Sequence, residues 1–568
     1  MSDVNDPDIE VQADGLARQR ACADTRPQLR RHRVELAPVA VLPAIAALYV
    51  STLAVNHSEA EDSMLYIRQV TSGSVADLVH PNHLLFNAFH RLFYRLWIAF
   101  GYRGSAEIPM EILDTLAAVL TLWLMLRVLR RLGVRSALSL CCVLATAFSF
   151  GFWWYAVECE TYILPLPFLL LSFDRLLTIA EDTRPHQFAL LGLTTALAVV
   201  IHQQHVLGAI VLGVTLLAMA WQTRRQPPFK LRMLGLLTYA CVAGVSIVAA
   251  YAWAGSRIMG KHGAAEIIAW SRGLARNGAW RAWSPVNPLK SLVGFGRGVL
   301  GLHMLFSFDA FRRATAHMFP NKILLEEAYL VSGTSPAIKL VYLGLVLTVG
   351  LGALGLARLA LRACAEQRAE QRGARAFKTA SWLFLAACAA FNTWWEPQNV
   401  EFWIAPLPFF YMLVALRLEA VGAGRAVLAT AGALVCALGL ANLLGSVLPQ
   451  ISHDRDYWYA MNRPLIDAAK AGDIVLTNGG YISDGSLRLY TAADIVSAQE
   501  VSAESFERRL AAPRAGRVFV SSWLRDPMPE LRGAGLVQRQ PALFDALMRH
   551  GRLVEFAHTP AQTIYILQ

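Results

Sequence analysis

Repeated apolar stretches constrain the fold of this chain more than any other feature. A transmembrane helix needs about 20 consecutive, mostly apolar residues. The composition is 55% hydrophobic and 16% charged over 568 residues, which is too apolar and too long for one soluble domain. Runs of suitable length lie at 37–55, 111–129, 136–156, 160–179, 187–202, 204–221, 233–254, 336–357, 379–396, 402–416 and 426–448. The sequence therefore predicts an all-α polytopic membrane bundle of about 11 helices.

The chain divides into three predicted regions. Residues 1–36 are polar and rich in arginine, which indicates a disordered cytoplasmic tail, and residues 37–448 form the membrane domain. After residue 449 the hydrophobicity falls, and short apolar runs alternate with helical patterns, which predicts a small α/β domain. The predicted strands lie at 473–477, 494–496, 517–520, 553–556 and 563–567.

The distribution of basic residues predicts the orientation in the membrane. The net charge of +11 comes largely from Lys and Arg at the ends of apolar runs, so it indicates helix orientation rather than a nucleic-acid partner. If residues 1–36 are inside, the long connections 56–110 and 255–335 and the region 449–568 lie outside. We expect a multi-pass inner (plasma) membrane protein with a cytoplasmic N-terminus.

The first long connection opens with three carboxylates, Glu59, Glu61 and Asp62. Carboxylates crowded near a low-dielectric surface do not all ionise readily, so one has a raised pKa or faces a cation, and either state suits a general base. The alternative is a solvated helix cap, since residues 64–70 have a helical pattern. Acidic residues recur on the same predicted face of the membrane, which favours a functional site.

Two histidine pairs fall on that same face. His80 and His83 flank Pro81, so they fit either a metal or phosphate contact or the start of a helix at the proline. His202 and His205 stand in a polar reversal that contains neither Gly nor Pro. Turn chemistry does not explain that reversal, which favours a functional role.

Acidic residues also accompany the aromatic segments. The tryptophans of 152–155 and 394–395 fit an interfacial aromatic belt. That belt does not explain the neighbouring carboxylates, which are rare at such depth without a partner, so function and structural pairing both stay open. The carboxylates are Glu158, Glu160, Glu396 and Glu401.

Four short motifs resemble a known family. They are Glu61-Asp62-Ser-Met-Leu-Tyr66, His80-Pro-Asn-His83-Leu-Leu-Phe86, Trp153-Trp-Tyr-Ala-Val-Glu-Cys-Glu160-Thr-Tyr162 and Glu401-Phe-Trp-Ile-Ala-Pro406-Leu-Pro408. In this order they resemble the GT-C superfamily of polyprenyl-phosphate-sugar glycosyltransferases. The closer resemblance is to the protein O-mannosyltransferase-like and lipid A aminoarabinose transferase-like branches. The usual acidic pair begins with Asp, whereas Glu61 stands first here, so the choice among Glu59, Glu61 and Asp62 stays open.

The resemblance implies an inverting glycosyltransferase with a polyprenyl-phosphate-linked sugar donor and an acceptor hydroxyl on a protein, lipid or glycan. One of the three acids would be the general base, and Arg297 is our choice of cation for the departing phosphate. Some members use a divalent cation and others none, so no cofactor is assigned. The residues expected to line the substrate site are His80, His83, Glu160, Tyr162, His202, Gln203, His205, Glu396 and Glu401.

The main alternative is a transporter or flippase of lipid-linked saccharides that uses the same acids and histidines as a proton relay. The sequence contains neither an inverted repeat nor a Gly/Pro-broken span, features that transporters often have. An enzyme is therefore the favoured hypothesis.

Overall fold

The computed structural model describes residues 40–273, 283–318, 324–362, 372–422, 424–511 and 516–568. Residues 42–568 belong to one compact unit. The predicted tail 1–36 lies outside the described residues, as do residues 274–282 and 319–323 of the predicted connection 255–335. The predicted domain boundary at 449 falls inside the larger unit and stays a prediction.

Helices make up most of the first half of the described chain. They are α1 (Val41–Val50), α2 (Asp62–Ser72), α3 (Phe86–Ala99), α4 (Glu107–Arg131), α5 (Ser136–Phe148), α6 (Phe150–Ala156), α7 (Leu166–Ile179), α8 (Pro185–Ile201), α9 (Val206–Trp221), α10 (Pro228–Trp253) and α11 (Ala264–Ser271). A 3₁₀ turn, Gln203–His205, joins α8 to α9. The predicted polar reversal therefore exists, and it occupies one short turn.

Further helices continue to residue 450. They are α12 (Asn287–Val299), α13 (Asp309–Met318), α14 (Leu325–Leu330), α15 (Pro336–Arg362), α16 (Arg372–Trp395), α17 (Pro406–Ala420), α18 (Arg425–Asn442) and α19 (Leu448–Gln450). Between α12 and α13 a 3₁₀ segment, His303–Ser307, is packed in the interior.

A helix stands at each of the eleven apolar runs, but they are not equally suited to cross a membrane. Among the described residues, six helical segments are long and apolar enough, and the bent pair α5–α6 makes a seventh if it counts as one span. Two shorter apolar helices, α1 and α8, fall below the length criterion, and α7 and α16 do not qualify. The chain is a multi-pass membrane protein, with fewer full-length spans than the sequence predicted.

The helix predicted near Pro81 begins later than expected. Residues 80–85 form turns, and α3 starts at Phe86, so the interpretation of Pro81 as a helix start is wrong. His90 and Tyr94 on one side of α3 are buried, whereas Leu92 and Leu96 on the other are exposed. Helix α3 is therefore amphipathic, with apolar side chains left for contact with lipid.

The last part of the chain folds around a five-stranded sheet. Its strands are β1 (Ile474–Thr477), β2 (Asp494–Ser497), β3 (Val518–Ser521), β4 (Leu553–His558) and β5 (Thr563–Leu567), and the accompanying helices are α20 (Tyr457–Ala468), α21 (Gly480–Tyr490), α22 (Ala503–Ala511), α23 (Pro529–Gly533) and α24 (Pro541–His550). The strand order is β2-β1-β3-β5-β4. All five predicted strands are confirmed, and the fold class is a helical membrane bundle with a small α/β region.

Strands β1, β2 and β3 are parallel, with Ile474 opposite both Asp494 and Val518, and β4 and β5 extend the sheet in antiparallel pairs. Successive side chains of a strand point to opposite faces. Accordingly Leu476 joins one apolar cluster and Val475 the other. Both faces of β1 are thus covered, as expected for a central parallel strand.

Candidate active site

The two adjacent acids stand at the start of α2 and are accessible. Asp62 is the first residue of α2, and Glu61 precedes it at the N-cap position. The Glu61 side chain makes no capping hydrogen bond, so the helix-cap interpretation is wrong for Glu61. Both side chains are exposed, so both can meet a substrate from solution or from the bilayer surface.

Asp62 is held by two phenol groups. The Tyr481 hydroxyl donates to Asp62 Oδ1 at 2.7 Å, and the Tyr66 hydroxyl lies 3.4 Å from Oδ2. The Tyr66 hydroxyl is also 3.2 Å from Nε2 of His83. Tyr66 therefore links the Asp62 carboxylate to the first histidine pair. Both phenol groups are neutral donors, so neither forms an ion pair with Asp62.

The first histidine pair is stacked and uncharged. The His80 and His83 rings lie 4.4 Å apart between centroids. Burial, followed by the neighbouring His80 and His202, lowers the pKa of His83 well below its ordinary value, and burial also lowers the pKa of His80. Neutral imidazoles offer one donor and one acceptor each. The pair is therefore suited to bind hydroxyl groups rather than to bind an anion by charge.

The second histidine pair adjoins the first through the backbone. The Gln203 amide donates to the carbonyl of Asn82 at 2.7 Å, which fastens the turn after α8 to the His80–His83 turn. The His202 ring packs on Tyr162 with centroids 5.0 Å apart and on His205 at 5.9 Å. By contrast, the Gln203 side chain donates to the Ser271 carbonyl, and this hydrogen bond stabilises the fold.

A pair of glutamates lies behind Asp62. Glu401 accepts hydrogen bonds from the hydroxyls of Tyr162 at 2.9 Å and Tyr155 at 3.2 Å. Burial raises the pKa of Glu160 well above its ordinary value, and the Glu401 and Asp62 carboxylates raise it further. Both effects favour the protonated form of Glu160, which can donate a hydrogen bond.

Asn399 connects this pair to the remaining predicted acid. Its side-chain amide donates to Glu401 Oε2 at 3.0 Å and to Glu396 Oε2 at 3.2 Å. The chain of contacts from Asp62 to Glu396 therefore includes nearly all the residues predicted to line a substrate site.

Glu59 has a different environment although it is only three residues from Asp62. Its Oε1 accepts from the Arg297 guanidinium at 2.7 Å, and its Oε2 contacts Nε2 of His303. His303 is buried, and its Nδ1 lies 2.9 Å from the Ser446 hydroxyl. Arg297 and Glu59 are both predicted site residues, and they form an ion pair with each other.

A further charged group precedes Glu59. His57 Nδ1 lies 2.6 Å from Glu158 Oε1, and its Nε2 lies 3.3 Å from Glu107 Oε1. Burial lowers the pKa of His57, but the Glu158 and Glu107 carboxylates more than offset this, and the result is a pKa well above the ordinary value. His57 is therefore a charged, buried clamp, and Glu158 belongs to structural pairing.

No set of three or more His, Cys, Asp or Glu side chains in the described part of the chain is arranged to hold a metal ion. No chemical step proposed below depends on a metal ion.

Three contacting residues were not found from the sequence. His303 carries no local motif, and Tyr155 was considered only as part of an aromatic belt. Tyr481 follows the Asn478-Gly479-Gly480 turn and contacts Asp62 through its side chain.

Comparisons with known proteins agree with this architecture. No protein-family model and no curated protein matches the sequence. The crystal structure of ArnT from Cupriavidus metallidurans bound to undecaprenyl phosphate is similar to this chain, with a TM-score of 0.56 at 10% identity, over 94% of this chain and 97% of ArnT. Its apo structure gives a TM-score of 0.54 over the same shares. The archaeal oligosaccharyltransferase AglB from Archaeoglobus fulgidus covers 93% of this chain with a TM-score of 0.39, too low to support an argument.

The chain therefore shares the fold of the two ArnT structures, and the similarity extends over both the helical bundle and the sheet.

Proposed function

We propose that this chain is a membrane glycosyltransferase that moves a sugar from a polyprenyl-phosphate-linked donor to an acceptor hydroxyl on the extracytoplasmic face. The observation that carries the proposal is an exposed carboxylate, Asp62, bonded by tyrosine hydroxyls within a fold shared with ArnT. The ArnT structure with undecaprenyl phosphate supports a donor of that class.

Among the three candidate acids, the geometry favours Asp62 as the general base. Glu59 is engaged by Arg297 and His303, so its charge is already compensated. Asp62 is accessible and bonded by phenol donors. A carboxylate has about four acceptor positions, so two hydrogen bonds leave room for the acceptor hydroxyl. Glu61 is exposed beside it and is the second choice.

The proposed step is a direct displacement. Asp62 takes the proton of the acceptor hydroxyl as that oxygen forms a bond to the anomeric carbon. The bond from the anomeric carbon to the phosphate oxygen breaks, and the polyprenyl phosphate leaves with the electron pair. One displacement inverts the anomeric configuration.

The departing phosphate needs cations where its charge develops. Arg297 has five N–H donors, and its hydrogen bond to Glu59 uses one of them, so the guanidinium retains donors for phosphate oxygens. The neutral histidines and Glu160 are proposed to bind the sugar and acceptor hydroxyls.

The experiment is transfer from polyprenyl-phosphate-linked sugars by the purified protein, with D62N, E61Q and E59Q compared. We expect D62N to lose transfer and E61Q to retain most of it. Full activity in all three variants would disprove the base assignment. If wild-type protein transfers no sugar from a panel of donors but moves lipid-linked saccharides across vesicles, the flippase alternative replaces the enzyme.

A further inference from the structure

The hydroxyl of Tyr481 reaches the proposed base from the sheet-containing region. It lies at the first turn of α21, directly after β1, and donates to Asp62 Oδ1 at 2.7 Å. The two residues are 419 positions apart in the chain. Tyr481 is 54% exposed, so about half of its surface is open to solvent. Its hydroxyl is nevertheless bonded to Asp62.

Helix α21 contacts the segment around Asp62 at two other points, Met64 and Val55. A side chain at Gly485 would meet the Met64 side chain at 3.3 Å, so the absence of a side chain lets α21 pack closely on α2. At the end of the same helix the Tyr490 hydroxyl donates to the Val55 carbonyl at 3.2 Å. The position of Tyr481 is therefore set by the docking of the whole helix and does not depend on its own hydroxyl.

The backbone before Tyr481 directs it toward Asp62. Asn478 donates to the carbonyls of Trp523 and Gln538, which holds the end of β1 rigidly. Gly480 has φ of +79°, a left-handed conformation that other residues rarely adopt. The chain turns sharply there, and α21 starts with Tyr481 facing α2.

We propose that Tyr481 is a positioning residue that orients the Asp62 carboxylate, so that the sheet-containing region completes the active site. This inference rests on the proposed function, because it assigns Asp62 the role of base. Tyr481 bonds Oδ1 and Tyr66 approaches Oδ2, so the plane of the carboxylate is fixed by donors on both oxygens. The acceptor hydroxyl then meets a carboxylate of defined orientation.

One kinetic consequence follows. Y481F removes a hydrogen bond to the Asp62 carboxylate and lets the carboxylate rotate, so kcat falls about 10-fold while KM for the donor changes little.

The test combines Y481F with D62N in a double-mutant cycle of full-length protein, using a polyprenyl-phosphate-linked sugar as the probe donor. Because Tyr481 acts through Asp62, Y481F should lower transfer in the wild-type background and have no further effect on the residual rate of D62N. Equal fold-losses in both backgrounds would overturn the inference.

The matched control is Y490F, which removes a hydroxyl from the same helix without touching a carboxylate. We expect Y490F to keep the wild-type kcat and KM. Amide hydrogen exchange over 480–490 checks the docking. If Y481F lowers kcat only because α21 exchanges faster, the residue docks the helix and the positioning role is disproved.

The results separate the two proposals. If D62N is inactive while Y481F matches wild type in kcat and KM, the positioning role alone fails. If D62N retains full transfer, the base assignment fails, and the inference built on it fails as well.

Discussion

The stretch of residues 57–62 contains two carboxylate environments that the sequence alone does not separate. At its beginning, His57 lies between Glu158 and Glu107, and Glu59 lies between Arg297 and His303. At its end, Asp62 is exposed and receives hydrogen bonds from tyrosine hydroxyls. An acid paired with a cation is stabilised in place, whereas an acid held by neutral donors keeps its negative charge for a reactant. The kind of partner, rather than the crowding of acids, distinguishes the proposed base.

Substitution of Asp62 gives the most direct test of this difference. D62N keeps the size of the side chain but removes the base, so we expect transfer to fall by about 10²–10⁴-fold. The melting temperature should change little, since Asp62 is exposed. Single-turnover transfer and thermal unfolding in detergent measure the two effects. A large loss of stability together with activity would place Asp62 with the structural acids instead.

Arg297 is proposed to stabilise the negative charge of the leaving phosphate, so its removal is also expected to lower activity. R297A should lower kcat/KM for the donor by about 100-fold, as for removal of one oxyanion donor. R312A is the control, because Arg312 pairs with Asp309 on α13 and has no proposed role in transfer. If the two variants lose activity equally, general positive charge matters rather than the position of Arg297.

His57 tests the structural side of the comparison. H57A leaves two buried or partly buried carboxylates without their cation, so we expect a loss of about 3 kcal/mol in unfolding free energy. Thermal unfolding of H57A and wild type at one pH measures it. An unchanged melting temperature would contradict the role of His57 as a clamp.

The same histidine predicts a dependence of stability on pH. The pKa of His57 is raised in the folded protein, so its stabilising effect is fully present below the unfolded value of about 6.5 and is lost as pH rises through the folded pKa. Wild type should therefore lose more stability than H57Q as the pH is raised from about 6 into the alkaline range. Parallel curves for the two proteins would refute this.

The smallest effect is expected at Glu160. Burial and the neighbouring carboxylates raise the pKa of Glu160, which favours its protonated form, and Gln is close to that form in shape and keeps a donor. E160Q should therefore transfer sugar within about threefold of wild type, whereas E160A, which loses the donor, should lose more. A loss in E160Q as large as in D62N would show that Glu160 acts in its ionised form.

Much of this architecture could be predicted from local patterns. Apolar runs identified the helices, and β-branched runs such as Ile474–Thr477 identified the strands, because periodicity and propensity act over a few residues. Span lengths were less accurate, since α1 ends at Val50 although its apolar run extends to residue 55. The start of α3 was misplaced because proline chemistry near residue 81 was given a helical meaning, whereas those residues form turns.

The candidate site was predicted in its residue types but not in its pairings. The sequence indicated Glu59, Asp62 and Arg297, yet gave no sign that Arg297 would bond Glu59 and leave Asp62 to tyrosines. The partners His303 and Tyr481 are 244 and 419 residues away from the acids they contact. Such contacts depend on tertiary packing, and a single sequence contains no local pattern for them.

The separation of Tyr481 from Asp62 also bears on biosynthesis. Asp62 enters the membrane environment early in translation, whereas Tyr481 is made after all the candidate spans. Contacts so distant in sequence form late, because the intervening chain must first be ordered. A nascent chain would thus sit in the bilayer with its base not yet oriented, and maturation of the sheet would be the event that makes it competent.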